Sequence, residues 1–309
     1  MNVKICVSHR LDIESYVVSS EIITPVLCGA VYDKEHNKKM QGDNQGENIS
    51  EKRINLGEFT VEYWMWKNIK ADYYGLCHYR RYFSFSNAIG YRNGDNHIFE
   101  LFLNNRAVRK YMMNNDEKIK SLCKEYEIII PEPTDVTNVP IFDAEIKTVK
   151  NIWEYKYGKD MPDNMIDIFL STLKNMNFPL YNEAVEYLST KYHIGYNCFI
   201  VSKEIFNEMC ELIFNTLSVL ENEYKDMDDF KKYPRTLGYL CEIMFGIYMY
   251  NAKRNKKYKE IPLIFFGETR KHISFKEKFK IYSYEYTKRL LKFLVPVSIY
   301  QKIKQVVKK

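Results

Sequence analysis

The sequence predicts an α/β protein, a mixed sheet covered by helices on both sides, on three observations. Short apolar segments rich in β-branched or aromatic residues recur at 3–8, 73–77 and 126–133, the composition of buried strands. Between and after them lie longer stretches, notably 203–220 and 235–250, whose apolar residues fall three or four apart, as on helices. Strands interleaved with helices imply βαβ units, and neither an internal repeat nor a sustained heptad competes with that reading.

In chain order, the first strand spans 3–8 and breaks at His9-Arg10, and residues 12–20 are a short helix or loop. A second apolar segment at 25–31 is the next strand, and the polar stretch 33–49, rich in Asn, Lys and Gly, is a loop. Ser50 caps a helical stretch in which Phe59, Tyr63, Trp66 and Ile69 share a face, so Trp64 and Trp66 are expected in the core. The run 73–83 follows, Tyr-Tyr-Gly-Leu-Cys-His-Tyr-Arg-Arg-Tyr-Phe. Residues 84–125 mix glycine, asparagine and charge ahead of a helix at 116–123, and are expected to be an insertion over the site.

A strand at 126–133 ends at prolines that cannot continue a ladder. Helices are expected at 144–155, 163–176 and 181–188, a strand at 193–201, the helix 203–220, a charged loop at 225–233, the helix 235–250 and a last strand at 260–266. The division is therefore a main α/β domain over 1–266 and a basic amphipathic tail over 267–309.

The net charge of +6 conceals an asymmetry. Residues 251–309 carry 17 Lys and Arg against four Glu, or +13, and the rest of the chain is −7. A negative body argues against broad nucleic-acid binding, whereas a basic tail points to an anionic surface such as a membrane leaflet. In the tail Ile299, Ile303, Val306 and Val307 share a face flanked by Lys302, Lys304, Lys308 and Lys309. The apolar run 3–7 is too short for a signal peptide, and no run approaches the ~20 apolar residues of a spanning helix. The seven cysteines form no Cys-x-x-Cys pair and lie in apolar runs, as reduced core residues of a cytosolic protein do.

The chemistry concentrates at the end of the 73–77 strand. In open α/β sheets ligands bind beyond the carboxyl ends of strands, and there His78, Arg80 and Arg81 supply fixed positive charge suited to a diphosphate. The alternative is an arginine pair that holds neighbouring carboxylates. Dinucleotide and P-loop glycine patterns, a Gly-x-Ser-x-Gly elbow and His-Glu-x-x-His are all missing. So is an Asp-x-Asp at any strand end; Asp226-Met-Asp228 falls in the charged loop. Cations of the chain itself must then balance a diphosphate, and no cofactor is firmly implied, although Mg²⁺ or Mn²⁺ remains open. Glu242, an acid within an apolar helix, is the leading general base, against a structural pairing with Arg235. Asp143 and Glu145 are its rivals.

Several spacings together resemble the bacterial capsular and exopolysaccharide glycosyltransferases that include UDP-galactofuranose transferases. They are His9-Arg10, Asp43-x-x-Gly46-x-Asn48-Ile49-Ser50, Asn55-x-x-Glu58-x-Thr60 with Tyr63-Trp64-x-Trp66, and His78-Tyr79-Arg80-Arg81-Tyr82-Phe83. Asn197-x-Phe199-Ile200 and Arg235-x-x-Gly238-Tyr239-Leu240-x-Glu242 extend the match to most of residues 3–266. The sequence departs from the family at Gly57, where a Cys is usual, and in the helix after Pro140, which lacks the family's Tyr and His pattern. The resemblance implies a GT-A-like nucleotide-binding fold and inverting transfer of a hexose from a UDP-sugar to a lipid-linked oligosaccharide. It implies His9, Asp43 and Asn48 on the nucleotide side and His78, Arg80 and Arg81 at the diphosphate or sugar. Asn197, Arg235 and Glu242 then face the acceptor, in a cytoplasmic enzyme at the inner face of the membrane. The same cation cluster also suits a sugar-phosphate transferase or a non-catalytic nucleotide-sugar-binding scaffold.

Overall fold

The computed structural model describes residues 1–35, 40–139, 145–155 and 158–294. Its strands are β1 (Val3–His9), β2 (Ile23–Leu27), β3 (Gln41–Gly42), β4 (Tyr73–His78), β5 (Arg81–Phe83) and β6 (Ile98–Phe102), followed by β7 (Ile128–Pro131), β8 (Thr134–Asp135), β9 (Tyr192–His193), β10 (Phe199–Ser202), β11 (Tyr258–Ile261) and β12 (Leu263–Glu268). The helices are α1 (Arg53–Leu56), α2 (Phe59–Asn68), α3 (Asn105–Lys110), α4 (Asp116–Glu125), α5 (Val149–Tyr155), α6 (Met165–Asn175), α7 (Tyr181–Ser189), α8 (Lys203–Tyr224), α9 (Asp228–Lys232), α10 (Thr236–Ala252) and α11 (Phe275–Leu294).

The main sheet runs β11-β7-β10-β4-β1-β2-β3, with β5, β12 and β6 continuing from the end of β4. β1 lies parallel to β2 and β4, while β10 runs antiparallel between β4 and β7, so the sheet is mixed. Both faces are covered, because alternate residues of one strand enter different cores. Ile128 and Ile130 of β7 pack with α2, α8 and α10, whereas Ile129 packs with Ile5, Cys77 and α4. Burial on both faces shows in β1 and β4, almost all of whose residues are buried instead of alternating with exposed ones. All seven cysteines are buried and free.

Several expectations change in detail. The second strand is 23–27 and ends at a left-handed Gly29, so Cys28 to Ala30 turn away from the sheet. Residues 193–201 are not one strand: Tyr196 (φ 71°) and Asn197 (φ 43°) break the segment between β9 and β10. The last strand is two, divided at Pro262, which lacks an N–H for the ladder. Residues 84–125 do not lie over the site. β6 pairs with β12 at the edge of the sheet and α4 covers β7 and β10, because their apolar residues extend the sheet's own core. Trp64 is buried and Trp66 partly so against the same core, as their spacing predicts. The amphipathic segment 298–307 lies outside the described residues.

One helix contact fixes the floor of the site. α10 crosses α1 so closely that a Cβ on Gly238 would stand 2.8 Å from the carbonyl oxygen of Asn55, a backbone atom that cannot rotate away. Gly238→Ala should therefore destabilise the fold by about 1–3 kcal/mol and loosen residues 53–57, measured as a lower urea midpoint. An unchanged midpoint would show that the two helices separate freely.

Candidate active site

β1 and β4 are parallel neighbours, so Ser8, Arg10 and His78 emerge together at their carboxyl ends. The chain then reverses through Tyr79 and Arg80 into β5, where Arg81 pairs with His78. These residues form one wall of a cavity of about 470 Å³. The corner around Gly57 and Glu58 and the helix face carrying Arg235, Tyr239 and Glu242 form the other. Those last three are four and three residues apart, which stacks them along one side of α10.

Five guanidinium groups line the cavity, those of Arg10, Arg53, Arg80, Arg81 and Arg235, against the carboxylates of Glu58 and Glu242. Asp12, just outside, ion-pairs with both Arg10 and Arg53. Arg80 and Arg235 make no ion pair among the described residues. Arg80 instead lies 5.3 Å from the centre of the Phe265 ring, which also carries Arg81 at 5.3 Å; Arg81 lies 5.1 Å from Tyr196 as well. Aromatic faces hold a cation without cancelling its charge, so Arg80 keeps its charge for a ligand. The buried Nε of Arg80 has no hydrogen-bond partner. Arg235 rests over Gly57, where a Cβ would fall 2.4 Å from its Nη1, and Gly57 itself has φ 59°. The left-handed φ favours glycine at this corner, and the guanidinium end of Arg235 is the group that a side chain there would displace.

His78 is held neutral: burial, then the charges of Arg81 and Arg80, push its pKa well below the usual histidine value. Glu242 goes the other way. Burial first and the charge of Glu58 second raise its pKa to about 7, opposed by a 2.8 Å hydrogen bond from the Tyr196 N–H and by Arg81 and Arg235. A carboxyl group poised at neutral pH beside cations that suit an anionic leaving group is a set able to take one proton while charge develops on another oxygen.

The remaining residues singled out by sequence stand behind this cavity, not in its lining. Asp43 is fully buried and accepts bonds from the N–H groups of Gly29 and Ala30, both at 2.9 Å, and from the hydroxyls of Ser50 and Thr60. It fixes the turn after β2 against α2. Asn48 closes its own turn by donating to the Gly46 carbonyl and accepting from the Ser50 N–H. His9 is buried with Nδ1 2.7 Å from the Ser15 hydroxyl. Asn197 is buried and donates to Glu62 Oε2 at 2.9 Å. Glu62 is sealed in the core, and burial raises its pKa to about 8. Asp143 lies outside the described residues, and Glu145 is exposed and pairs with Lys147 at 3.0 Å.

Glu58, Arg53, Tyr196 and Tyr239 line the cavity without having been singled out for a role. Glu58 had a usable signal, since it shares the Asn55-x-x-Glu58-x-Thr60 spacing. Tyr196 had none, because its place follows from a left-handed turn inside an apolar run. Among the described residues no three His, Cys, Asp or Glu side chains gather as a metal site, and a lining rich in guanidinium is a donor set that does not fit Mg²⁺ or Mn²⁺. No described helix is long and apolar enough to cross a membrane.

Residues 4–255 match the family described as a domain of unknown function, DUF4422. The chain belongs to that family. No curated protein matches it. Among solved structures, this DUF4422 chain is similar to the apo structure of WbbM, a bifunctional glycosyltransferase, with a TM-score of 0.75 and 24% identity over 87% of the chain. The match covers 46% of WbbM, so the chain spans less than half of that protein's length. The likeness shows that the two share a mixed α/β fold.

The raised pKa of Glu242 has a consequence for stability. Between pH 4.5, its ordinary value, and about 7 the folded chain keeps a proton that the unfolded chain releases, so this group costs stability as pH rises through that window. Glu242→Gln should raise the melting temperature above pH 7 by on the order of a few degrees and change it little below pH 4.5. A variant no more stable than the parent at pH 8 would place Glu242 in an ordinary solvated setting.

Proposed function

We propose that the chain is an inverting glycosyltransferase that takes a hexose, such as galactofuranose, from a UDP-sugar. The single observation carrying this reading is the pair of arginines spread over the Phe265 ring at the carboxyl end of β4, with Glu242 across the same cavity. The shared fold with a glycosyltransferase supports it.

In the proposed reaction an acceptor hydroxyl oxygen attacks the anomeric carbon opposite the diphosphate and its proton passes to the Glu242 carboxylate. The bond from that carbon to the diphosphate oxygen breaks, the electron pair leaves with the diphosphate, and one displacement inverts the anomeric centre. Arg80 and Arg81 take up the charge that develops on the leaving group, and Arg235, on the face of α10 that carries Glu242, serves the acceptor side. Neutral His78 donates or accepts a hydrogen bond there without adding charge. Asp143, outside the described residues, is the rival base. Asp43, Asn48 and His9 serve the nucleotide side by holding the turns that shape it, and Asn197 serves the acceptor side through Tyr196.

In this reading the acceptor is a lipid-linked oligosaccharide of capsule or exopolysaccharide synthesis, met at the inner face of the membrane by a cytoplasmic protein without a nucleic-acid partner. Phe275 and Phe279 of α11, 87% and 68% exposed, stand among Lys276, Lys278 and Lys280, and aromatic side chains with lysines suit an anionic interface. Phe275→Ser with Phe279→Ser should release the protein from phosphatidylglycerol vesicles in a flotation assay; undiminished flotation would remove α11 from the contact.

Released UDP, measured with a panel of UDP-hexoses and oligosaccharide acceptors, tests the activity itself. UMP release would instead mark phosphosugar transfer, and binding without turnover a scaffold. Arg80→Ala or Arg81→Ala should lower kcat by about 10²-fold or more. Glu242→Gln should keep UDP binding but lower kcat by about 10²–10⁴-fold, and the parent's kcat should rise with pH through about 7, as the base loses its proton. A Gln variant with parental turnover would transfer the base role to Asp143.

A further inference from the structure

The cavity does not end at Arg80. Tyr79 and Arg80 also line a second hollow of about 230 Å³, which shares Gly267 and Glu268 with a third of about 340 Å³. That third hollow shares Leu101 and Glu285 with a groove of about 570 Å³ between β6 and α11. The four follow one another along β12 through these shared residues, with α11 beside the last two. The far groove has a different chemistry from the near cavity. Tyr91, Tyr282 and Tyr286 turn partly exposed rings toward it, at 53%, 58% and 67%, and Phe99 and Phe102 line it beneath. Tyr282 meets Phe102 at 5.0 Å between ring centres, which joins helix to sheet.

Part of the charge along the far part is paired within the chain, while Arg106 and Lys280 line it as further cations. Arg270 pairs with Glu268 at 2.8 Å, Lys110 with Glu100 at 2.6 Å and Lys288 with Glu285 at 2.9 Å. Exposed aromatic faces interleaved with paired carboxylates and cations offer apolar platforms with donors and acceptors. That combination suits the C–H faces and hydroxyl edges of sugar rings. Phe99 also stacks on Phe265, 6.2 Å away, the ring that carries Arg80 and Arg81, so the groove abuts the floor of the cation site.

We propose that this trough is a binding path for a neutral oligosaccharide, the sugar chain of the acceptor, whose end reaches the Arg80 cavity. The proposal rests on the transferase reading for the direction of the chain, but binding itself requires no turnover. The trough runs past several sugar units, so longer chains should bind better than a disaccharide.

The test uses the full chain and an array of neutral gluco-, galacto- and manno-oligosaccharides from two to eight units, with UDP titrated separately by calorimetry. Hexamers or longer members of at least one series should bind more tightly than the disaccharide. Tyr91→Ala and Tyr286→Ala should each weaken that binding by on the order of tenfold, leaving UDP affinity and the melting temperature unchanged. Both side chains are exposed enough for the fold to survive their loss. Absence of binding by every neutral oligosaccharide, or equal binding by both variants, would overturn the proposal. So would loss of vesicle binding in the same variants with oligosaccharide binding intact, which would assign the aromatic side chains to a lipid surface. Oligosaccharide binding without UDP binding would sink the transferase reading while leaving the trough in place.

Discussion

Two guanidinium groups share one phenylalanine ring at the point where β4 leaves the sheet, and the rest of the site is built around holding them there. Cations this buried are costly unless something solvates them. Phe265, Tyr79 and Tyr196 do so through their ring faces, which stabilise positive charge yet leave it able to attract an anion. Across the cavity, desolvation first and the charge of Glu58 second lift the pKa of Glu242 toward neutrality.

The fold serves that arrangement through buried polar knots under the cavity. Asp43 gathers four donors and ties the turn after β2 to α2. Glu62, on the same helix, reaches Asn197 on the far side of β4. Each is a charged residue type placed where the core admits none without partners. What they hold in place is backbone: the Gly29 turn in one case, the 196–197 turn in the other. The sheet supplies position, and these contacts supply orientation.

Much of this was legible in the sequence. Strands buried on both faces read as continuous apolar runs, so β1, β4 and β7 were visible, and the cations beyond β4 could be placed at a strand's carboxyl end. Helical periodicity found α8 and α10, and with them the shared face of Arg235 and Glu242. Tertiary pairing was harder to see. Residues 84–125 look polar enough to be a lid, and only their pairing with β12 reveals β6 as part of the sheet. The residues of the Asp43 loop carry turn chemistry that looks ligand-like, because Asp and Asn serve backbone N–H groups and ligands by the same bonds. Tyr196 could not be recognised, since a single left-handed turn within an apolar segment has no pattern of its own.

That turn has a consequence for how the protein can diverge. Tyr196 gives its amide to Glu242 and its ring to Arg81, from a backbone conformation that side-chain-bearing residues seldom adopt. The groups proposed to accept a proton and to steady departing charge are thus fastened to one peptide. Neither half can drift independently, so variation among descendants should collect along the distant trough, where rings can be exchanged one at a time. New specificities can then arise there while the reacting centre is inherited whole.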